Sequence, residues 1–552
     1  MPDLFHTYRA DGAKIPTYFI ESTAPNNVDN SPTPAAVLAG LTRIDPDQAV
    51  EDIARHLSGA AHPNLVFMIH GFNNPQQAVL AAYSETFRTI ENDPAICNHA
   101  GLVCVGYRWP SEKMGAPWRA MLAALPSLPS WLLWFGVGLF AVYPIVGLLT
   151  RFRDWPLGAV GHLSSMLGWT LVGAVLGTAL LRATVYFRDS YRATNYGAPD
   201  LIEIIRQIDH QIMEHDLRTA AAAEKRARTD QGRIELSFIG HSMGGFIVTN
   251  AIRVLSDLFT EDALRPRLNS GTVNEESHGT LESISPNIGN VLRLMRFVLA
   301  SPDIPAEALL SNRANYLASS LRRFREAYLF SNEGDEVLRQ ISTTANYFSF
   351  PTKSWKFGYR LGNVEILAKE YGIIDLGTGS ALPKLRVGYY TLQELYEGLR
   401  TARKELGAAP KSVQNLLPEV FSYFDCTDYI DCTDISEKPR GLLTFALNKK
   451  QYNAQSHMST WDHMTLLWSY IFREKPNVHG GYFEGNLCRQ IIYRLACLGF
   501  DDTVCAYQEL ATFSDECRQK QIKVLLSPIL AAKSRHTASH VARDVRAPAS
   551  VG

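Results

Sequence analysis

The segment that most constrains the fold of this chain is a glycine-rich run at residues 240–245, which reads GHSMGG. It follows the apolar, β-prone stretch ELSFI and precedes FIVTNAIRVL, which has the character of a helix. Small residues two before and two after a serine permit a sharp strand-to-helix turn, because larger side chains there would collide with the neighbouring strand and helix. The pattern predicts that Ser242 is a nucleophile on such a turn, where backbone N–H groups at the helix start can stabilise developing negative charge. A structural glycine turn with an incidental serine is the alternative.

Several other short apolar runs have the character of buried parallel strands. They are NLVFMIHG from residue 64, GLVCVGYRW from residue 101, LMRFVLASPDI from residue 294, AYLFSNEGDEV from residue 327 and EVFSYFDCTD from residue 419. Between them, apolar residues recur at helical spacing, as at Leu201, Ile205, Ile208 and Ile212. Strands that alternate with helices predict an α/β fold with a mainly parallel, doubly wound sheet.

Six segments together resemble a known family: VFMIHGFNN, YRWPS, YRATNYG, IGHSMGG, LASPDIP and SNEGDEVL. The combination is similar to a branch of bacterial α/β-hydrolases, which are serine hydrolases of the lipase or esterase type. The resemblance covers residues 60–115 and 185–345 well and the histidine-bearing C-terminal part more loosely. It implies the α/β-hydrolase fold, a Ser-His-Asp triad and hydrolysis of ester bonds, and it names no substrate.

The oxyanion hole of such an enzyme is formed by two backbone N–H groups. One comes from the residue after the nucleophile and the other from a loop that follows an upstream strand. In this chain the resemblance assigns these roles to Met243 and to Phe72, within the run HGFNN. We expect His70, which begins that run, to be a structural residue that is hydrogen-bonded within the loop.

The acid and the base should follow the serine in the chain order Ser, acid, His. Asp335 lies just past the predicted strand AYLF and is the favoured acid, and Asp303, one strand earlier, is the alternative. His457 lies in a loop before a predicted helix and is the favoured base, although Met458 interrupts the family pattern there. His463, within that helix, is the alternative base.

Metal and cofactor signals are weak. The eight cysteines form no CxxC pair, and no Cys/His cluster has zinc spacing. Four aspartates are closely spaced, but not as in an EF-hand loop, and we interpret them as turn and cap residues: Asp425, Asp428, Asp431 and Asp434. We therefore predict neither a metal nor an organic cofactor. A formal charge of −1 also gives no reason to expect a nucleic-acid partner.

One region stands apart in charge. From residue 120 to residue 181 the only charged side chains are Arg151, Arg153 and Asp154. The two apolar runs on either side of them are each long enough to cross a bilayer core, which takes about 20 residues. The pattern predicts a transmembrane helical hairpin, so that a membrane is a partner through residues 120–181. An apolar lid or a dimerisation hairpin on a soluble enzyme is the alternative.

The sequence thus predicts five parts. Residues 1–115 begin the hydrolase domain, 116–184 form the inserted hairpin, 185–475 complete the domain, 476–532 form a C-terminal helical extension and 533–552 a disordered tail. The predicted function is a membrane-associated serine hydrolase that cleaves carboxylic esters, including lipid or acyl esters, and the alternatives are a thioesterase, an amidase or a non-catalytic scaffold. The start of the sequence has no apparent signal peptide, and the residues that flank the predicted hairpin carry more Lys and Arg than its turn. We therefore expect a bacterial inner-membrane protein with its catalytic body in the cytoplasm, or else a cytoplasmic protein.

Overall fold

The protein is described by a computed structural model. It describes residues 4–24, 40–112, 186–218, 233–255, 287–305, 321, 323–342, 360–363, 386–387, 390–391, 421–430, 440–450, 459–472, 477–527 and 530. The predicted hairpin at 116–184 and the predicted tail at 533–552 lie outside these ranges.

A large, mostly parallel β-sheet forms the centre of the molecule. Its strands are β1 (Phe5–Ala10), β2 (Thr17–Ser22), β3 (Leu41–Ile44), β4 (Asn64–Ile69), β5 (Leu102–Arg108), β6 (Ile234–His241), β7 (Asn287–Ile288), β8 (Leu292–Ala300), β9 (Glu326–Ser331), β12 (Ser422–Asp425) and β13 (Lys523–Leu525). A separate two-stranded pair consists of β10 (Arg386–Val387) and β11 (Tyr390–Thr391). Across the main sheet the order is β13-β12-β9-β8-β6-β4-β5-β2-β1-β3, and β7 pairs with β8.

Seven neighbouring strands are parallel to one another: β12, β9, β8, β6, β4, β5 and β2. The strands added outside them, β1, β3, β7 and β13, pair antiparallel. The α/β class predicted from the sequence, with a mainly parallel sheet, is therefore confirmed. Strand β13 belongs to the segment that the sequence assigned to a C-terminal helical extension, and it forms one edge of the main sheet.

Helices cover both faces of the sheet. They are α1 (Pro46–Gly59), α2 (Gln76–Asn92), α3 (Ala198–Arg218), α4 (Met243–Leu255), α5 (Leu442–Ala446), α6 (Thr460–Phe472), α7 (Asn486–Cys497), α8 (Phe500–Ala506) and α9 (Leu510–Gln519). A π-helical turn at Ala193–Gly197 leads into α3.

The central strand β4 shows how two cores form. Every one of its six residues is buried, and successive side chains of a strand point to opposite faces. Leu65, Phe67 and Ile69 join the core that packs against α1, α3 and α4. Val66 and Met68 join the core that packs against α2 and α7. An apolar run without alternation is therefore the expected sequence of a strand that is buried on both faces.

This topology brings the ends of distant strands together. Strands β4, β6, β8 and β9 are adjacent and parallel, so the residues that follow each of them meet at one edge of the sheet. In open α/β sheets this carboxyl edge is where ligands bind. His70, Ser242, Ser301 and Asn332 all lie at or just past these strand ends.

The prediction of a transmembrane helix is wrong for the part of the chain described here. Within the ranges given above, every helix is too short or too polar to cross a membrane. The longest, α3, has 21 residues and buries Leu201, Ile205 and Ile208 against the sheet. Its remaining surface carries charged side chains, including Asp200 and Arg206, because this helix is amphipathic and not apolar all round.

Candidate functional site

Ser242 occupies the turn between β6 and α4. Its φ of +52° lies in the left-handed region, which is costly for a residue with a side chain and is typical of functional turns. The backbone holds it there: the Ser242 N–H donates to the carbonyl oxygen of Ala300 at 2.9 Å, and its own carbonyl oxygen accepts from the N–H groups of Gly245 and Asp303, both at 3.0 Å. The side chain is buried, and its Oγ has no hydrogen-bond partner among the described residues. The turn therefore presents an unpaired hydroxyl.

The glycines around Ser242 are required by close backbone approach. A Cβ on Gly240 would lie 2.7 Å from the Cα of Gly245, and a Cβ on Gly244 would lie 2.3 Å from the carbonyl oxygen of Ile69. Neither contact can be relieved by a side-chain rotation, since both neighbours are backbone atoms. The spacing G-x-S-x-G thus reflects how tightly β6, α4 and the end of β4 pack around the serine.

Asp335 follows β9 and is completely buried. Its Oδ2 accepts hydrogen bonds from the Oγ of Ser301 at 2.8 Å and from Nδ1 of His479 at 2.7 Å. Its Oδ1 accepts from the N–H of Leu338 at 3.2 Å. The carboxylate is therefore fixed in place and oriented toward one imidazole.

That imidazole belongs to His479, which the sequence analysis did not select. With Nδ1 bound to Asp335, its Nε2 is buried and has no partner within the described residues. The His479 ring centroid lies 6.2 Å from that of Phe72 and 5.0 Å from that of His241, the residue before the serine. Among the described residues, a hydroxyl without a partner, a ring nitrogen without a partner and an oriented carboxylate thus lie at the same edge of the sheet: Ser242, His479 and Asp335.

His241 stays uncharged beside His479. Burial, together with the charge that His479 can carry, lowers the pKa of His241 to about 3. Its Nε2 lies 3.2 Å from the carbonyl oxygen of His479, which makes Nε2 the protonated, donating nitrogen of this neutral ring. His241 therefore anchors the backbone of His479 without adding a second positive charge.

The loop after β4 lies directly against the serine. A Cβ on Gly71 would be 2.9 Å from the Cβ of Ser242, so only glycine permits this approach. The ring of His70 stacks on Trp109 with a centroid distance of 5.3 Å, and its Nδ1 lies 2.7 Å from the Gly71 carbonyl oxygen. Burial lowers the pKa of His70 to about 3. These contacts agree with the expected structural role of His70, and the close approach of Gly71 to Ser242 brings the neighbouring Phe72 near the turn before α4.

Asp303, the alternative acid, is engaged elsewhere. It is buried and forms an ion pair with Arg360 at 2.9 Å. Its two carboxylate oxygens also accept from the hydroxyls of Tyr186, at 2.7 Å, and of Ser342. Among the described residues, Asp335 is the one of the two predicted acids that contacts an imidazole, while Asp303 supports the Ser242 turn through its backbone N–H.

The two predicted bases have different outcomes. His457 lies outside the described residues. His463, on α6, places its Nδ1 2.5 Å from Oε1 of Glu336, so it pairs with a different carboxylate from the one held by His479. The two carboxylates and His479 border a small cavity, whose lining includes Asp335, Glu336 and His479.

A sequence signal for His479 does exist. It lies in the run NVHGGYF, between α6 and α7, where two glycines follow the histidine. Like His457, it follows both the serine and the acid in the chain and lies in a loop. Chain order and loop placement are therefore compatible with His479 as the base, whereas a resemblance to a local sequence pattern favoured His457.

The closely spaced aspartates that the structure describes, Asp425 and Asp428, are engaged in hydrogen bonds and an ion pair. Asp428 accepts from the N–H and hydroxyl of Thr444, and Asp425 accepts from the N–H of Thr427 at 2.9 Å and pairs with Lys523 at 3.1 Å. Asp431 and Asp434 lie outside the described residues. In the part of the chain that the structure covers, no group of three or more His, Cys, Asp or Glu side chains is placed to hold a metal ion.

Comparisons with protein-family models, with curated proteins and with solved structures find no match to this chain.

Proposed function

We propose that this chain has the α/β-hydrolase fold and is a serine hydrolase that cleaves carboxylic esters, with Ser242, His479 and Asp335 as its catalytic residues. One observation carries the proposal. Among the described residues, the buried Asp335–His479 pair leaves Nε2 of the imidazole without a partner, at the same sheet edge as Oγ of Ser242, which also has none. A carboxylate on Nδ1 fixes the tautomer in which Nε2 can accept a proton, and it stabilises the imidazolium that results.

The order of the groups along the chain supports the same conclusion. Ser242 follows β6, Asp335 follows β9 and His479 follows β12, which is the order Ser, acid, His of the α/β-hydrolase fold. In that fold the nucleophile stands on a strained strand-to-helix turn, as Ser242 does with its positive φ.

The proposed reaction proceeds through an acyl-enzyme. Nε2 of His479 takes the Ser242 hydroxyl proton as Oγ attacks the ester carbonyl, and the N–H groups of Phe72 and Met243 stabilise the resulting oxyanion. Collapse of the tetrahedral intermediate expels the alcohol, which receives its proton from His479. A water molecule, deprotonated by the same imidazole, then hydrolyses the acyl-enzyme and releases the carboxylic acid.

A fluorophosphonate probe tests the proposal directly, since it reacts covalently with an activated serine. We expect labelling of the wild-type protein, no labelling of Ser242→Ala, and a very slow reaction of His479→Ala. The matched control is His457→Ala, which should label at the wild-type rate. An unlabelled wild type, or equal labelling of Ser242→Ala, would refute the proposal.

The bond that is cleaved can be identified with three substrates that share one acyl group: an oxygen ester, a thioester and an anilide. The proposal expects the highest kcat/KM for the oxygen ester, with all turnover lost in Ser242→Ala. Faster turnover of the thioester or anilide would reassign the enzyme to a thioesterase or an amidase.

A further inference from the structure

Asp189 is a buried carboxylate that contacts the loop after β4 from a distant part of the chain. Its Oδ2 accepts hydrogen bonds from the backbone N–H of Asn73, at 3.0 Å, and from the hydroxyl of Ser111, also at 3.0 Å. Its Oδ1 accepts from the guanidinium of Arg188 at 2.9 Å. The side chain is completely buried, so all of these bonds are shielded from water.

The loop that Asp189 contacts has an unusual backbone conformation. Asn73 has a φ of +61°, in the left-handed region, which asparagine adopts more readily than other residues with a side chain. The side chain of Asn74 donates to the carbonyl oxygens of Gly71 and Phe72, at 3.1 and 3.0 Å, and the N–H of Asn74 donates to Ser111 at 3.1 Å. The bonds to Asp189 and Ser111 thus connect this left-handed turn to the rest of the protein.

These bonds act on the two peptide planes on either side of Phe72. A peptide unit is planar, and in its trans form the N–H is antiparallel to the carbonyl group. The Gly71 carbonyl and the Phe72 N–H belong to one such plane, and the Phe72 carbonyl and the Asn73 N–H belong to the next. The first plane is held at the Gly71 oxygen by Asn74. The second is held at both ends, by Asn74 and by Asp189.

We infer that Asp189 is a positioning residue for the oxyanion hole: it fixes the peptide that follows Phe72 and thereby aims the Phe72 N–H at the substrate. The inference rests on the proposed function. An oxyanion donor is effective only when it is preorganised at the position that the developing charge will occupy. A small displacement of such a group can cost about 10²-fold in rate.

The test compares Asp189→Ala and Asp189→Asn with the wild type on a p-nitrophenyl ester. In Asp189→Ala we expect kcat to fall by about 10- to 100-fold and KM to stay within about twofold, because the lost interaction acts on the transition state. Asp189→Asn keeps one oxygen that can accept from Asn73, so its kcat should lie between those of Asp189→Ala and the wild type.

Active-site titration with a fluorophosphonate separates positioning from general damage. If Asp189 acts on the oxyanion hole, every folded Asp189→Ala molecule still labels, so the endpoint is normal and the rate constant is about 10- to 100-fold lower. Damage to the fold alone would instead lower the endpoint and leave the rate constant of the remaining sites unchanged. The matched control is Asp93→Asn, another buried carboxylate, which pairs with Arg494 at 2.8 Å. It should label at the wild-type rate.

The outcomes also separate this inference from the proposed function. A wild type that does not label would refute the serine hydrolase itself. A wild type that labels, with Asp189→Ala labelling at the same rate per site, would refute only the positioning role.

Discussion

Nδ1 of His479 lies 2.7 Å from Oδ2 of Asp335, although 144 residues separate them in the chain. Asp335 lies just past the end of β9, and the segment between α6 and α7 returns to this edge of the sheet and brings His479 to it. The contact orients the imidazole, and it is the relationship on which the proposed chemistry most depends.

Replacement of the base is the first prediction. His479→Ala should lower kcat for a p-nitrophenyl ester by about 10³-fold or more, because Ser242 would lose the group that accepts its proton. His463→Ala is the control: its imidazole pairs with Glu336, so steady-state kcat should stay within about threefold of the wild type. The opposite ranking of the two variants would assign the base to His463.

The acid is the second prediction. Asp335→Asn should lower kcat by about 10⁴-fold with little change in KM, because the amide no longer supports the required tautomer of His479. The fold should persist, and circular dichroism can verify this.

Asp303→Asn should behave differently. It breaks a buried ion pair with Arg360, which should cost about 3–5 kcal/mol in the free energy of unfolding. Denaturant titration measures this loss. If Asp303→Asn abolished turnover in a stably folded protein while Asp335→Asn remained active, the assignment of the acid would be reversed.

The third prediction concerns the glycines of the serine turn. Gly244→Ala would place a methyl group 2.3 Å from a backbone oxygen and should lower the free energy of unfolding by about 3 kcal/mol or more. Gly59, at the end of α1, has nothing within 4 Å of its missing Cβ. Gly59→Ala should therefore be neutral or stabilising by up to about 1 kcal/mol. Equal unfolding midpoints for the two variants would contradict the packing argument.

The fourth prediction is the pH dependence of stability. Burial lowers the pKa of His70 to about 3 in the folded protein, against an ordinary value of 6.5. Below pH 6.5 the unfolded state therefore binds more protons than the folded state, so stability should fall as the pH falls from about 6.5 toward about 3. A histidine of this kind contributes a slope of about 1.4 kcal/mol per pH unit.

Chemical denaturation at pH 7, 6 and 5 measures this slope. In His70→Asn it should be smaller than in the wild type by about 1.4 kcal/mol per pH unit, while His241 keeps its own contribution. An unchanged slope would mean that His70 is not held neutral by the fold.

Local patterns predicted most of the sheet. The run NLVFMI is apolar throughout and forms β4, and the glycine spacing around Ser242 predicted the turn between β6 and α4. Strands β1, β2 and β3, which extend the sheet beyond β5, were not predicted, because such strands are held by pairing with partners whose register the sequence does not state. The prediction that the catalytic body lies in the cytoplasm stays a prediction.

The histidine at the site could not be chosen from local sequence. His457, His463 and His479 all follow Asp335 in the chain, and the choice depends on which loop returns to the carboxyl edge beside β9. The position of that loop depends on the whole sheet, because β12 pairs with β9 and the segments that follow β12 start from this position. Tertiary geometry, and not a motif, identifies His479.

The described residues on either side of segment 113–185 contact one another. Glu112 pairs with Arg188 at 2.8 Å, and the same guanidinium donates to the Glu112 backbone oxygen at 3.2 Å. A second arginine, Arg192, reaches the same carboxylate at 3.1 Å. The chain thus leaves and re-enters through one ion-paired junction, and closing a loop costs little more free energy as the loop lengthens. We expect that segment 113–185 can be replaced at this junction by a short linker or by an unrelated folded unit. Asp189 should then keep its contacts to Asn73 and Ser111.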